Sequence, residues 1–143
     1  MATVVSQPES QVAIHQTKLL INNQWVDSIS GKKFDTVNPA TGDVLAQVAE
    51  ADSADVDIAV KAAVKAFHTK AAWRRMSAAE RGKLLNRLAD LIEKHADELA
   101  TLESLDNGKP KHVAQAADLP LTIACYRYYA GWADKIQGKT IPI

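Results

Sequence analysis

The stretch LESLDNGKP, residues 102–110, closes a run of leucines at helical spacing (Leu99, Leu102, Leu105) with a glycine and, two residues later, a proline. Gly108 is the residue type that ends a helix, and Pro110 prevents its continuation, so Asp106 falls in the last helical turn. A carboxylate is disfavoured there. The unsatisfied carbonyls and the negative end of the helix dipole meet it, at a cost of about 0.3–1 kcal/mol for an exposed acid. The acid sits there against that cost, and the local spacing does not say why.

Working back from this end, Ser77-Ala-Ala-Glu80 reads as a capping box, followed by Leu84, Leu85, Leu88, Leu91 and Ile92 on one face. A bend is expected near His95 or Ala96, between that stripe and the leucines of 99–105. Earlier still, Asp52 caps a helix carrying Val56, Val60, Ala63, Val64 and Phe67, with Asp55 and Asp57 suited to the dipole of its first turns. Before Asp52 the period changes. KLLINNQWVD gives two β-favouring runs around Asn22-Asn23, and the segment from Ile29 to Glu50 gives two more around Asn38-Pro39-Ala40-Thr41-Gly42. Residues 1–17 are polar and aperiodic and read as a mobile arm.

Beyond Pro110, Asp118 is expected to cap a long helix, with Pro120 tolerated in the first turn, that runs to about Ile136 before Gly138. Leu119, Leu121, Ile123, Tyr126, Tyr128, Tyr129 and Trp132 place large apolar groups on more than one face of it. One neighbour does not cover them all. The final KTIPI reads as the opening of an extended segment at the end of the chain. The layout is therefore two strand pairs followed by three to four amphipathic helices, with apolar surface in excess.

Composition excludes several classes of function. Lys plus Arg and Asp plus Glu both number 17 and are interspersed, so nothing points to nucleic acid or an anionic membrane. No run approaches the roughly 18 apolar residues of a membrane span, and no leader-like segment opens the chain; a soluble, cytoplasmic protein is expected. The one cysteine, Cys125, excludes an intrachain disulfide and fits a reducing compartment.

Catalytic candidates are few. The six glycines include no G-x-G pair, and His15, His68, His95 and His112 lack the spacing of a transition-metal site. Cys125, in TIACYRYY, has only Arg127 as a nearby cation and reads as a buried thiol instead of an activated one. Trp25, Trp73 and Trp132 read as core aromatics, and Arg74, Arg75 and Arg81 as a solvated face.

Three blocks together carry a resemblance: INNQWVDSISGKKFDTVNPATGDVLAQVAEADSADVDIAVKAAVKAF, then WRRMSAAERGKLLNRLADLIEKHADELATLESLDNGKP, then DLPLTIACYRYYAGWADKIQGKTIPI. In order and without evident gaps from about residue 18 onward, they resemble the N-terminal part of NAD(P)-dependent aldehyde dehydrogenases, in the broad group of mitochondrial, cytosolic and betaine-aldehyde enzymes. The resemblance implies an α/β fold with a Rossmann-like NAD-binding domain, of which residues 18–143 are the outer N-terminal part, and a catalytic domain that is absent from these residues. It implies a homo-oligomer.

It also implies the chemistry: a cysteine thiolate attacks an aldehyde, hydride passes to NAD or NADP, and a glutamate activates the water that releases the carboxylate. None of those residues is present. Cys125 is not the family's nucleophile, and Glu80, Glu93, Glu98 and Glu103 do not match its general base. One family site does reach this segment. Thr36 and Val37 of TVNP and Asp106 of DNGKP match positions whose backbone carbonyls hold a structural sodium or potassium ion in many members, with further ligands from residues absent here, so an ion is expected in the complete enzyme and none on this chain alone. The alternative is that Lys109 neutralises Asp106 and no ion binds.

Three readings of function stand: an N-terminal piece of such an enzyme, inactive alone; one half of a split enzyme completed by a second chain; or a non-catalytic module that docks on full-length relatives. Which aldehyde, and NAD or NADP, depend on residues that are absent.

Overall fold

The computed structural model describes residues 12–139 and residue 141. Strands β1 (Leu19–Ile21) and β2 (Gln24–Val26) form an antiparallel hairpin in which Leu19 opposes Val26. Asn22 and Asn23, at φ 50° and 61°, make its two-residue turn. Both lie in the left-handed region that such turns require and that asparagine tolerates. Strands β3 (Lys33–Val37) and β4 (Val44–Ala49) form a second antiparallel pair around the Asn38–Gly42 turn. Thr36 opposes Ala46 and Val37 opposes Val44, which leaves Leu45 as an extra residue in β4. The expected strand pairs and turns are both present.

The mobile arm expected over residues 1–17 lies mostly outside the described residues. Within residues 12–17 there is no regular secondary structure, and the Ala49 amide donates to the Thr17 carbonyl at 2.8 Å. Of the extended segment expected at KTIPI, residues 140, 142 and 143 also lie outside the description.

Helix α1 (Ser53–Phe67) begins at a capping box: the Ala54 amide donates to the Asp52 carboxylate, and the Asp52 amide to Asp55. Asp55 does more than suit the dipole. It is buried, 3 % exposed, and its other oxygen accepts from the Ile29 amide at 2.9 Å, so it ties α1 to the loop after β2. The short α2 (Ala72–Arg75) precedes α3 (Ala78–Lys94), whose Ser77–Glu80 capping box is present in full. The expected bend falls at His95, which ends α3 and precedes α4 (Ala96–Asn107). Gly108, at φ 78°, closes α4 and returns its amide to the Ser104 carbonyl.

The region after Pro110 differs from expectation. A helix starts earlier, as the single turn α5 (Lys111–Val113), widens into a π turn over Ala114–Asp118, and continues as α6 (Leu119–Trp132). Asp118 is not an N-cap, since its backbone is helical and its side chain bonds no helix amide. The Leu119 amide reaches back five residues to the Ala114 carbonyl, the wide spacing that defines the π turn. Pro120 follows directly, in the first turn of α6, where a missing amide is tolerated. The helix also ends at Trp132 instead of about Ile136, and the Lys135 ammonium donates to the Gly131 carbonyl in its last turn.

Helices α3 and α6 pack closely, because Gly82 has no side chain. A Cβ there would lie 2.8 Å from the Ala130 carbonyl oxygen. Arg127 of α6 pins the same pair by bonding Asp90 at 2.9 Å and Glu93 at 2.6 Å. The core cluster is small: Ala100, Ala114 and Leu119, with Ile92, Ala96 and Leu99 against it. No large side chain among the described residues is fully buried.

Candidate functional site

The end of α4 meets the β3–β4 pair. The link is Gly108, whose Cα lies so close to the Asn38–Gly42 turn that a Cβ would meet Pro39 Cγ at 2.9 Å. Beside this contact is a cavity of about 310 Å³ walled by Thr36, Leu45 and Val48 on the strand side, by Leu102, Leu105 and Asp106 on the helix side, and by Ile14. Thr36 and Asp106, seventy residues apart in sequence, thus line one cavity. Val37 is not on its wall; it is the next residue along β3, where the pairing skips Leu45, and it is 43 % exposed.

The donor chemistry of the α4 end fits a hard cation. Gly108 uses the Ser104 carbonyl, and Lys109 sends its amide to the Asn107 side chain. Among the described residues no backbone amide returns to the carbonyls of Leu105, Asp106 or Asn107. The Asp106 carboxylate likewise has no hydrogen-bond or ion-pair partner there. Free carbonyls, the negative end of the dipole and a carboxylate coincide. No cluster of three or more His, Cys, Asp or Glu side chains suited to a metal is present among the described residues.

Lys109 does not neutralise Asp106. Its ammonium lies 3.2 Å from Glu103 and 2.5 Å from Asp118, and these two acids raise its pKa above the ordinary lysine value, Asp118 most. Sequence spacing gave no sign of this clasp, because Asp118 lies on an element that the chain reaches only after turning back at Gly108–Pro110.

Cys125 is exposed, which corrects its reading as a buried thiol. Helix α6 buries Leu119 and Ala130, and no described residue covers the side that carries Cys125. The tryptophans are corrected in the same way: Trp25, Trp73 and Trp132 are each about half exposed (47 %, 46 % and 46 %). Arg74 sits over the Phe67 ring at 4.7 Å, and Arg81 donates to the Met76 carbonyl, so two of the three arginines have structural partners.

The family model described as the aldehyde dehydrogenase family matches residues 25–143. The chain belongs to the aldehyde dehydrogenase family. Human mitochondrial aldehyde dehydrogenase is 56 % identical over 139 residues, covering 97 % of this chain and 27 % of the relative. Chicken aldehyde dehydrogenase 1A1 is 52 % identical over 137 residues, or 96 % and 27 %. An aldehyde dehydrogenase of Bacillus cereus, solved in complex with NAD+, superposes with a TM-score of 0.86 at 55 % identity, over 90 % of this chain and 26 % of that one. The chain thus spans about a quarter of the length of these aldehyde dehydrogenases. The α/β fold expected from the resemblance is therefore established, and the strand pairs and helices described above are its N-terminal elements.

The glycines with positive φ, Gly31, Gly42 and Gly108, each close a separate turn or helix end, and none opens a helix where backbone amides would meet phosphate. No helix of the described residues is long and apolar enough to cross a membrane.

Proposed function

We propose that these residues form the outer, N-terminal part of the NAD-binding domain of an enzyme that oxidises an aldehyde to a carboxylate with NAD or NADP, and that alone they oxidise nothing. One observation carries the reading. Apolar stripes on two helices face solvent: Val56, Val60, Val64 and Phe67 on α1, and Leu121, Tyr128 and Tyr129 on α6, the last three at 69 %, 59 % and 60 % exposure. Monomeric domains rarely leave such contiguous surface bare. A sheet and catalytic domain supplied by the rest of an aldehyde dehydrogenase, in the same polypeptide or as a second chain, would cover it.

The chemistry agrees with that division. Cys125 lies in mid-helix without a histidine or helix N-terminus to activate it. The chain's part is to brace the domain. At the α4 end, Asp106 with Thr36 and Val37 contributes oxygen ligands to a structural sodium or potassium ion. The single cysteine fits a reducing compartment, and the cytoplasm is the location we favour, although some of its relatives are named mitochondrial.

Co-expression with the complementary three-quarters of the human mitochondrial relative tests the assignment. Activity that requires both chains, with co-purification as a defined oligomer, supports it. No association between the two would contradict it. For the cation, potassium or sodium chloride should protect the Ser104–Gly108 amides from exchange relative to choline chloride at equal ionic strength, and equal exchange would refute the site.

A further inference from the structure

One arrangement of side chains belongs to neither the family chemistry nor the cation site. Lys109 begins immediately after the glycine that rests on Pro39, and its ammonium reaches across to Asp118, the last residue of the π turn. Both faces of Asp118 are occupied. Its carboxylate receives Lys109 and its carbonyl receives the Thr122 hydroxyl at 2.8 Å. Glu103, on the last turns of α4, holds the other side of the ammonium. The three side chains are about one-third exposed, so the pairing is partly shielded from water and salt. A second tie runs parallel: Lys111 bonds Asp97 at 2.7 Å and Gln115 bonds the same carboxylate at 2.9 Å.

We propose that Lys109 is a positioning residue. Clasped between Glu103 and Asp118, it sets the π turn and the first turn of α6 relative to the α4 end, so that cation occupancy at the α4 end is felt by the backbone of α6. The coupling half of this rests on the cation reading above; the clasp half does not. A π turn is a wide backbone register next to a narrower, commoner one, and Pro120 leaves the segment without one of its stabilising amides. A charge-assisted contact at its last residue favours the register that it holds. An ion that orders the Asp106 carbonyl orders the two residues between it and Lys109, and the clasp carries that order across to Asp118.

Hydrogen exchange of the full chain, read at Ser104–Gly108 and at Leu119–Ile123 in potassium chloride and in choline chloride, tests both halves. In the unaltered chain potassium should slow exchange at both segments. Lys109→Met should speed exchange at Leu119–Ile123 in either salt by roughly three- to tenfold, and should confine the potassium effect to Ser104–Gly108. Lys109→Arg, which keeps the charge and reach, should restore both behaviours. Unchanged exchange of Leu119–Ile123 in Lys109→Met overturns the clasp. Potassium sensitivity of α6 that persists in Lys109→Met overturns the coupling. Absence of a potassium effect at Ser104–Gly108 in the unaltered chain means that the cation reading has failed and takes the coupling with it, while the comparison in choline chloride still decides the clasp.

Discussion

Gly108 rests directly on Pro39, and a Cβ at residue 108 would come within 2.9 Å of the proline Cγ. That contact fixes the end of α4 against the β3–β4 turn, and it depends on two properties of glycine together: positive φ and absent side chain.

Gly108→Ala should therefore be costly twice. Left-handed backbone for alanine costs about 1 kcal/mol and the forced contact adds about 1–3 kcal/mol. Exchange at Ser104–Gly108 should rise accordingly. Adding Pro39→Ala removes the contact and leaves the backbone term, so the double variant should recover part of the loss. Recovery of all or none of it would show that only one of the two terms acts.

Asp55 is a second anchor with an expected effect of similar size. Its carboxylate accepts from the Asp52 and Ile29 amides, and replacing it with alanine leaves both without a partner in a buried place. Asp55→Ala should destabilise the α1 start by about 2–4 kcal/mol, with Asp55→Asn intermediate because one carbonyl oxygen remains. Protection of the Ile29 and Asp52 amides measures it. An Asp55→Ala variant with unchanged protection would remove Asp55 from the role of anchor.

Two titrations bracket the pH range. Hydrogen bonds from the Ser77 side chain and backbone hold the Glu80 carboxyl below its ordinary value of 4.5. A lowered pKa means stability that is present above pH 4.5 and is lost as pH falls through the folded value. Lys109 is held above its ordinary 10.5 by Asp118 and Glu103, so its contribution is full below pH 10.5 and disappears only as pH rises through the folded value. Ser77→Ala should move the NMR titration midpoint of Glu80 part of the way back toward 4.5 and leave the alkaline side untouched. A midpoint that does not move would show that Ser77 is not the cause.

Much of the fold was legible because its signals are local. Asp52 and Ser77 announce helices through bonds three residues long, and Asn22-Asn23 sets a hairpin by its own backbone preference. Asp118 was misread for the same reason. An acid two residues before a proline imitates a helix start, whereas the π turn is visible only in the bond from Leu119 to Ala114. Burial was the other failure. Apolar neighbours mark Cys125 and the tryptophans as residues that want cover, but they do not say which segment provides it. At the candidate site, Asp106 drew notice as an acid at the wrong helix end, while its meeting with Thr36 came through the family resemblance. The Pro39–Gly108 contact that brings them together, and the reach of Lys109 to Asp118, are products of chain reversal that no spacing encodes.

Uncovered helix faces should also be detectable in solution. With no large side chain fully buried among the described residues, the isolated chain should bind hydrophobic dyes and unfold with poor thermal cooperativity. A sharp transition of a clean, dye-silent monomer would favour a self-sufficient module.

A chain that carries part of an aldehyde dehydrogenase scaffold and none of its chemistry should not turn over an aldehyde. The most direct test is NADH formation by the purified chain alone with acetaldehyde or betaine aldehyde and NAD+. The rate should equal the blank; reduction of NAD+ above the blank, abolished by Cys125→Ser, would overturn that division of labour.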